Sequence, residues 1–115
     1  APGYKNLRKD PRVIRIIKNA YKQNKVVAAI CAAPVVLSDA GILENKNCTI
    51  YPGMEDDLIR GKGTPKQENV VVDGNIVTSK GPATALEFAL KLVEILAGKQ
   101  VADEVCRKVL ANNVC

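Results

Sequence analysis

A cysteine at the end of an apolar run is the residue with the clearest chemical potential in this sequence. Residues 26–30 carry no polar side chain, and Cys31 is followed by two alanines and then by Pro34. An uninterrupted apolar run of this kind is typical of a strand buried on both faces, as in a parallel sheet. Proline suits the first position of a helix, where its missing N–H loses no partner. The pattern therefore predicts a strand, a sharp turn at Cys31 and a helix.

A thiol at such a turn is predicted to be reactive. It lies near unpaired backbone N–H groups and the positive end of the helix dipole, and both favour the thiolate over the thiol. The small Ala32 and Ala33 let a substrate approach the backbone closely. The arrangement is that of a nucleophile elbow with cysteine in place of serine. The alternative is a buried, inert cysteine, which is the more common fate of this residue type.

The remaining cysteines are weaker candidates for chemistry. We interpret Cys48 as a packing residue of a strand, Cys106 as a structural residue of a helix and Cys115 as part of a disordered terminus. The four cysteines lack the paired spacing of a zinc site, and the chain contains no histidine. We therefore expect no metal and no other cofactor, and a Cys-His catalytic pair cannot be built from this chain alone.

The charge and hydropathy of the chain indicate which classes of partner it can bind. The net charge is +5, but aromatic residues make up only 3% of the sequence, which is too few for a platform that stacks bases. We interpret the basic residues as solvated surface and expect no nucleic-acid partner. No apolar run approaches the roughly 18 residues of a membrane span, and no signal-peptide pattern is seen. The expectation is a cytoplasmic protein without a membrane partner.

The other elements follow from local patterns. Asp10-Pro11 predicts a helix start, and Asp73-Gly74 between two β-branched runs predicts a hairpin turn. In chain order we predict a loop over 1–9, a helix over 11–23, the strand and elbow helix over 25–40, a strand over 47–51, a short helix over 54–60, a polar loop over 61–69, the hairpin over 70–79, a long helix to 97 and a last helix over 101–110.

Two features predict that the domain is larger than this chain. The helix that ends near residue 97 is apolar around most of its circumference, so we expect a sheet and a second subunit to bury it. A doubly buried parallel strand also needs parallel neighbours, and only one such strand precedes the hairpin. We expect residues 1–115 to form the C-terminal part of a single domain and not to fold stably alone.

Two segments carry a resemblance to a known family. They are AAICAAP at residues 28–34 and VVDGNIVTSKGPATALEFAL at residues 71–90. Together they closely resemble the DJ-one/ThiJ/PfpI family, in the branch named after the parkinsonism-associated protein deglycase. The resemblance implies a flavodoxin-like three-layer α/β sandwich with a mostly parallel sheet, here lacking its N-terminal strands. It also implies a homodimer.

The resemblance also implies roles for individual residues. Cys31 is the implied reactive cysteine, and the backbone N–H of Ala32 contributes to an oxyanion pocket. The implied acid/base is a glutamate in the family's N-terminal part, outside this chain. Tyr51 stands where many members have a histidine, and it either orients a substrate or packs the pocket wall. Gly81 and Pro82 are expected in the substrate pocket.

Three functions remain open at this point. The resemblance implies a cofactor-independent, cysteine-dependent glyoxalase or deglycase that acts on small reactive carbonyls such as methylglyoxal. The alternative is a redox sensor or stress chaperone, because an accessible thiolate is also easily oxidised. A cysteine peptidase or amidase is less favoured because it requires a histidine from outside this chain.

Overall fold

The computed structural model describes residues 2–111 and 113–114. The order of elements there is α1 (Pro2–Lys9), α2 (Pro11–Lys22), β1 (Val27–Ile30), α3 (Pro34–Asp39), β2 (Asn47–Cys48), α4 (Glu55–Arg60), β3 (Thr64–Pro65), β4 (Val70–Asp73), β5 (Ile76–Ser79), a short 3₁₀ helix (Pro82–Thr84), α5 (Ala85–Ala97) and α6 (Lys99–Lys108). The terminus predicted at Cys115 lies outside the described residues.

The main sheet has three strands in the order β1-β5-β4. The central strand β5 runs parallel to β1 and antiparallel to β4, and all four of its residues are buried. Helices α2 and α3 pack on β1, whereas α5 packs on β4 and β5. This leaves Ala28 of β1 exposed while Val27 and Ala29 are buried. The prediction that β1 is buried on both faces is therefore wrong for this chain, because α5 lies over its neighbours instead.

Residues 2–9 form the helix α1 rather than the loop predicted over 1–9. Their local sequence contains proline and glycine, so the helix depends on tertiary contacts more than on intrinsic propensity. Tyr4 packs against the hydrophobic core. The Arg8 guanidinium donates two hydrogen bonds to the Asp39 carboxylate, at 2.8 and 3.0 Å, and so ties α1 to α3. These contacts lie too far apart in sequence for local patterns to reveal them.

Local signals predicted α2 and the hairpin well. The Asp10 carboxylate caps α2 by accepting the N–H of Arg12 at 2.9 Å. The hairpin forms as predicted, but its two-residue turn is Gly74-Asn75 rather than Asp73-Gly74, because Asp73 pairs with Ile76 in the ladder. The displaced Asp73 carboxylate instead accepts the N–H of Asn47 at 2.8 Å, which anchors β2 beside the hairpin.

The strand predicted over 47–51 is shorter in the structure. Only β2 pairs as a strand, and it pairs with β3 inside the predicted polar loop. The next residues are held by contacts across the main sheet. The Thr49 N–H donates to Oγ1 of Thr78 at 2.9 Å, and the Tyr51 N–H donates to the carbonyl of Cys31 at 2.9 Å. These two hydrogen bonds place Tyr51 beside the end of β1.

Helix α5 ends where predicted and is largely exposed within this chain. It ends at Ala97, and Gly98 follows with φ +97°. Within the described chain α5 has no buried residue, and Leu96 is 69% exposed. Within this chain α6 and one edge of the sheet cover only part of its circumference, and burial of the remaining sides by a second subunit stays a prediction. The homodimer implied by the resemblance stays a prediction.

The hydrophobic core lies between the sheet, α2, α3 and α4. Its buried members are Val27, Ala29, Val35, Leu37, Ala40, Ile42, Leu43, Cys48, Ile50, Leu58 and Ile76. No helix in the described part of the chain has both the length and the apolar composition needed to cross a bilayer.

Candidate functional site

The strand, turn and helix predicted around Cys31 are present. β1 ends at Ile30, α3 begins at Pro34, and Cys31 between them has φ +65°. This left-handed conformation is uncommon outside glycine and is found preferentially where tertiary contacts enforce it. The Cys31 N–H donates to the carbonyl of Ser79 at 3.0 Å, and its own carbonyl accepts the N–H of Tyr51 at 2.9 Å. Two neighbouring segments therefore fix the backbone of the turn.

The turn opens into a cavity of about 510 Å³. The thiol-bearing residue is partly exposed. The cavity lining combines apolar side chains with two phenols, and it consists of Gly3, Tyr4, Ile30, Cys31, Ala32, Ala33, Tyr51 and Met54. A small molecule can therefore reach Cys31.

Ala32 follows Cys31 directly in the turn. The amides on either side of it are already used, since Cys31 donates to Ser79 at 3.0 Å and Ala33 donates to Ile30 at 3.1 Å. Ala32 itself lines the cavity. The geometry is compatible with the predicted role of its N–H, and that role stays a prediction.

The other predicted pocket residues separate into two groups. Tyr51 lines the cavity and is 48% exposed. Gly81 lies behind it, because a Cβ built on Gly81 would be 3.5 Å from Cδ2 of the Tyr51 ring. Pro82 is exposed and begins the 3₁₀ helix. Neither Gly81 nor Pro82 is among the residues that line this cavity, and their assignment to the substrate pocket stays a prediction.

Helix α1 forms a cavity wall that lies where a loop was predicted. Gly3 and Tyr4 line the cavity because residues 2–9 fold as a helix over α3. Met54 completes the wall from the residue before α4. A local signal for α1 existed in the spacing of Tyr4 and Leu7, which share a face when the segment is helical. The proline and glycine before Tyr4 obscured it.

Cys48 provides an internal contrast to Cys31. It is fully buried in β2, as the packing interpretation predicted, and a Cβ on Gly63 would lie 2.9 Å from its sulfur. Burial raises the pKa of the Cys48 thiol to about 11. The thiol therefore stays protonated at neutral pH, because a buried thiolate would lose its hydration.

The raised pKa of Cys48 predicts a loss of stability in alkaline solution. The contribution is complete below the pKa of the unfolded thiol, near 8.5, and is lost as the pH rises towards 11, because only the unfolded state releases the proton in that window. Between these limits the free energy of unfolding should fall by up to about 3 kcal/mol more in the unsubstituted protein than in Cys48→Ala. Denaturant titrations at pH 8, 9, 10 and 11 measure the difference. Parallel pH profiles for the two proteins would show that Cys48 does not titrate in this way.

No group of three or more His, Cys, Asp or Glu side chains is arranged to hold a metal ion in residues 2–111 and 113–114. The site described above therefore consists of one accessible thiol, backbone amides and two phenols.

Known proteins share this arrangement of elements. The model of the DJ-1/PfpI family matches residues 1–95. The chain belongs to the DJ-1/PfpI family. It is 47% identical over 85 residues to Protein dj-1beta of Drosophila melanogaster, which covers 74% of this chain and 46% of that protein. It is 35% identical to the glutathione-independent glyoxalase DJR-1.2 of Caenorhabditis elegans, over 92% of this chain and 56% of that protein.

The similarity extends to three dimensions. The crystal structure of Drosophila melanogaster DJ-1beta superposes with a TM-score of 0.88 at 38% identity, and the match covers 95% of this chain and 59% of that one. The predicted flavodoxin-like α/β fold of the DJ-1/PfpI family is thereby confirmed. The chain spans about half the length of the curated relatives it matches.

Proposed function

We propose that this chain is the cysteine-bearing C-terminal part of a single DJ-1/PfpI domain, and that the complete protein converts small reactive carbonyls such as methylglyoxal to hydroxy acids without a cofactor. The observation that carries the proposal is Cys31, held at φ +65° in a strand-to-helix turn beside a cavity of about 510 Å³. The glyoxalase name of the Caenorhabditis elegans relative supports the choice of reaction.

The proposed reaction needs no external oxidant or reductant. The Cys31 thiolate adds to the aldehyde carbon of methylglyoxal, so a C–S bond forms while the π electrons of the carbonyl move to oxygen. The Ala32 N–H stabilises this oxygen, which then takes a proton to give a hemithioacetal. A base then removes the proton from the former aldehyde carbon, and the electron pair of that C–H bond forms an enediolate with the neighbouring ketone. The ketone carbon takes a proton back, and the hydroxyl proton of the hemithioacetal passes to the former ketone oxygen. The first carbon is thereby oxidised to a thioester and the second is reduced to an alcohol. Water releases lactate and restores the thiol.

The proton transfer between carbons requires an acid/base group from outside this chain. The described lining of the cavity contains neither a carboxylate nor an imidazole, and its titratable side chains are the thiol and the phenols of Tyr4 and Tyr51. A phenol is a weak base near neutral pH. We therefore assign Tyr51 to orienting the carbonyl by hydrogen bonding, and the proton transfer to a glutamate of the domain's N-terminal part.

A redox sensor is the second candidate function. The same observation favours it, because a partly exposed thiol with no carboxylate or imidazole in the described lining can be oxidised without turning over a substrate. Oxidation to the sulfenic and sulfinic acids would then regulate the binding of a partner. A cysteine peptidase or amidase has less support because the chain contains no histidine.

Product stoichiometry separates the two functions. The complete protein, with its N-terminal part, is incubated with a large excess of methylglyoxal, and lactate is measured per mole of protein while mass spectrometry follows Cys31. Many equivalents of lactate with Cys31 recovered as a thiol are expected for the enzyme. One equivalent or less, with Cys31 recovered as an adduct or an oxidised acid, would contradict the enzymatic proposal and support the sensor.

A further inference from the structure

A buried chain of hydroxyl groups links the end of β5 to the Tyr51 side of the cavity. We infer that Thr84 is a positioning residue: it holds Gly81 against the ring of Tyr51 and so sets the orientation of that ring beside Cys31. The inference rests on the proposed function only in assuming that the orientation of Tyr51 matters for the reaction. The geometry itself does not depend on the reaction.

The hydroxyl of Thr84 lies at the centre of this network. It accepts the N–H of Gly81 at 3.2 Å, and it lies 2.9 Å from the carbonyl oxygen of Gly81 and 2.6 Å from the hydroxyl oxygen of Ser79. The Ser79 hydroxyl lies 2.8 Å from the carbonyl oxygen of Asn69. The Thr84 hydroxyl has one proton, which it can donate to the Gly81 carbonyl or to the Ser79 hydroxyl, and in either case it bonds Gly81 directly. Because Ser79 and Thr84 are buried, the removal of one hydroxyl leaves polar atoms without water to replace it.

The network reaches Tyr51 through Gly81. A Cβ built on Gly81 would lie 3.5 and 3.8 Å from two carbons of the Tyr51 ring, which places the glycine against the ring. The backbone of Gly81 is extended, with φ 179°, so the glycine is not required by its conformation. A side chain larger than a methyl group would meet the ring. Tyr51 is 48% exposed, so solvent surrounds one side of its ring. Contact with Gly81 on the other side therefore limits the movement of the ring.

The same network also touches the turn that carries the thiol. The carbonyl of Ser79 accepts the N–H of Cys31 at 3.0 Å, while its hydroxyl bonds Thr84. Ser79 therefore connects the backbone of Cys31 to the support of Tyr51. Loss of the Thr84 hydroxyl should change the position of the phenol relative to the thiol. If Thr84 only stabilised the start of α5, its removal would lower stability and leave the Tyr51 ring unchanged.

Ring resonances of the tyrosines test the inference directly. The chain has three tyrosines, Tyr4, Tyr21 and Tyr51. In the complete protein with ring-labelled tyrosine, the Tyr51 signal is identified by its loss in Tyr51→Phe. Thr84→Val should shift the Tyr51 signal and leave that of Tyr21 in place, and Thr84→Ser should restore it. The exposed Thr64 serves as the matched control, since Thr64→Val should shift neither signal.

Kinetics give a second readout. The value of kcat/KM for methylglyoxal should fall roughly tenfold in Thr84→Val, which is the order expected for one misplaced hydrogen bond, and should recover in Thr84→Ser. If the protein shows no turnover, the proposed reaction fails while the ring resonances still test the positioning role.

Two results would contradict the positioning role of Thr84. An unchanged Tyr51 signal in folded Thr84→Val, or equal shifts of Tyr21 and Tyr51, would overturn it. If Thr84→Val does not fold, Gly81→Ala takes its place, because a Cβ at 3.5 Å fits in ordinary contact with the ring and leaves the hydroxyl chain intact. Gly81→Ala should then shift the Tyr51 signal, and an unshifted signal would show that Gly81 does not support the ring.

Discussion

Replacement of Cys31 by serine is expected to lower methylglyoxal turnover by roughly a thousandfold or more. A serine hydroxyl has nearly the same size as the thiol but remains un-ionised near neutral pH, so the nucleophile is lost while the turn is kept. The backbone hydrogen bonds from Cys31 to Ser79 and from Tyr51 to Cys31 do not involve the side chain, and they should hold the serine in the same position. The initial rate of lactate formation by the complete protein measures the effect.

Cys48→Ala is the matched control for this substitution. It also removes one thiol, but the thiol of Cys48 is fully buried and protonated at neutral pH, so turnover should stay close to that of the unsubstituted protein. Circular dichroism should show that both variants are folded. Comparable losses in Cys31→Ser and Cys48→Ala, or full activity in Cys31→Ser, would remove Cys31 from the proposed mechanism.

Leu58→Ala is expected to lower the free energy of unfolding by about 2–5 kcal/mol. Leu58 is fully buried in α4 and belongs to the core cluster that also contains Leu43 and Cys48. Its truncation removes apolar contacts and leaves a cavity that the close-packed surroundings can fill only in part. Denaturant unfolding of the complete protein measures the change.

The next residue on the same helix provides the control. Ile59 is 56% exposed, so Ile59→Ala should change the free energy of unfolding by no more than about 0.5 kcal/mol. Both substitutions are to alanine and both residues lie within α4, so helix propensity contributes similarly to each. Equal effects of the two variants would show that α4 does not pack on the core through Leu58.

Local signals in the sequence were sufficient for several elements. Asp10-Pro11 predicted the start of α2 because a cap and a proline act within one turn of the helix. The apolar run that ends at Cys31 predicted the strand, the turn and α3 because proline and small residues restrict the backbone locally. The predicted end of the long helix at residue 97 is also correct, and Gly98, with φ +97°, follows it directly.

Other features depended on contacts that no local pattern contains. Residues 2–9 form α1 because Tyr4 meets the core and Arg8 meets Asp39, which lies 31 positions away. The turn of the hairpin shifted by one residue because the ladder pairs Asp73 with Ile76. The apolar composition of α5 predicts burial but does not identify the neighbouring elements that would cover each side of the helix.

The family, the α/β class and the strand-to-helix turn at Cys31 could be predicted from the sequence, because each depends on short stretches of adjacent residues. The tertiary structure decided which residues surround that cysteine. Tyr4 and Met54 reach the cavity, Gly81 supports Tyr51 from behind, and Cys48 is buried away from solvent. The physical reason is that a cavity wall is assembled from segments that are distant in sequence, and their packing alone brings them together.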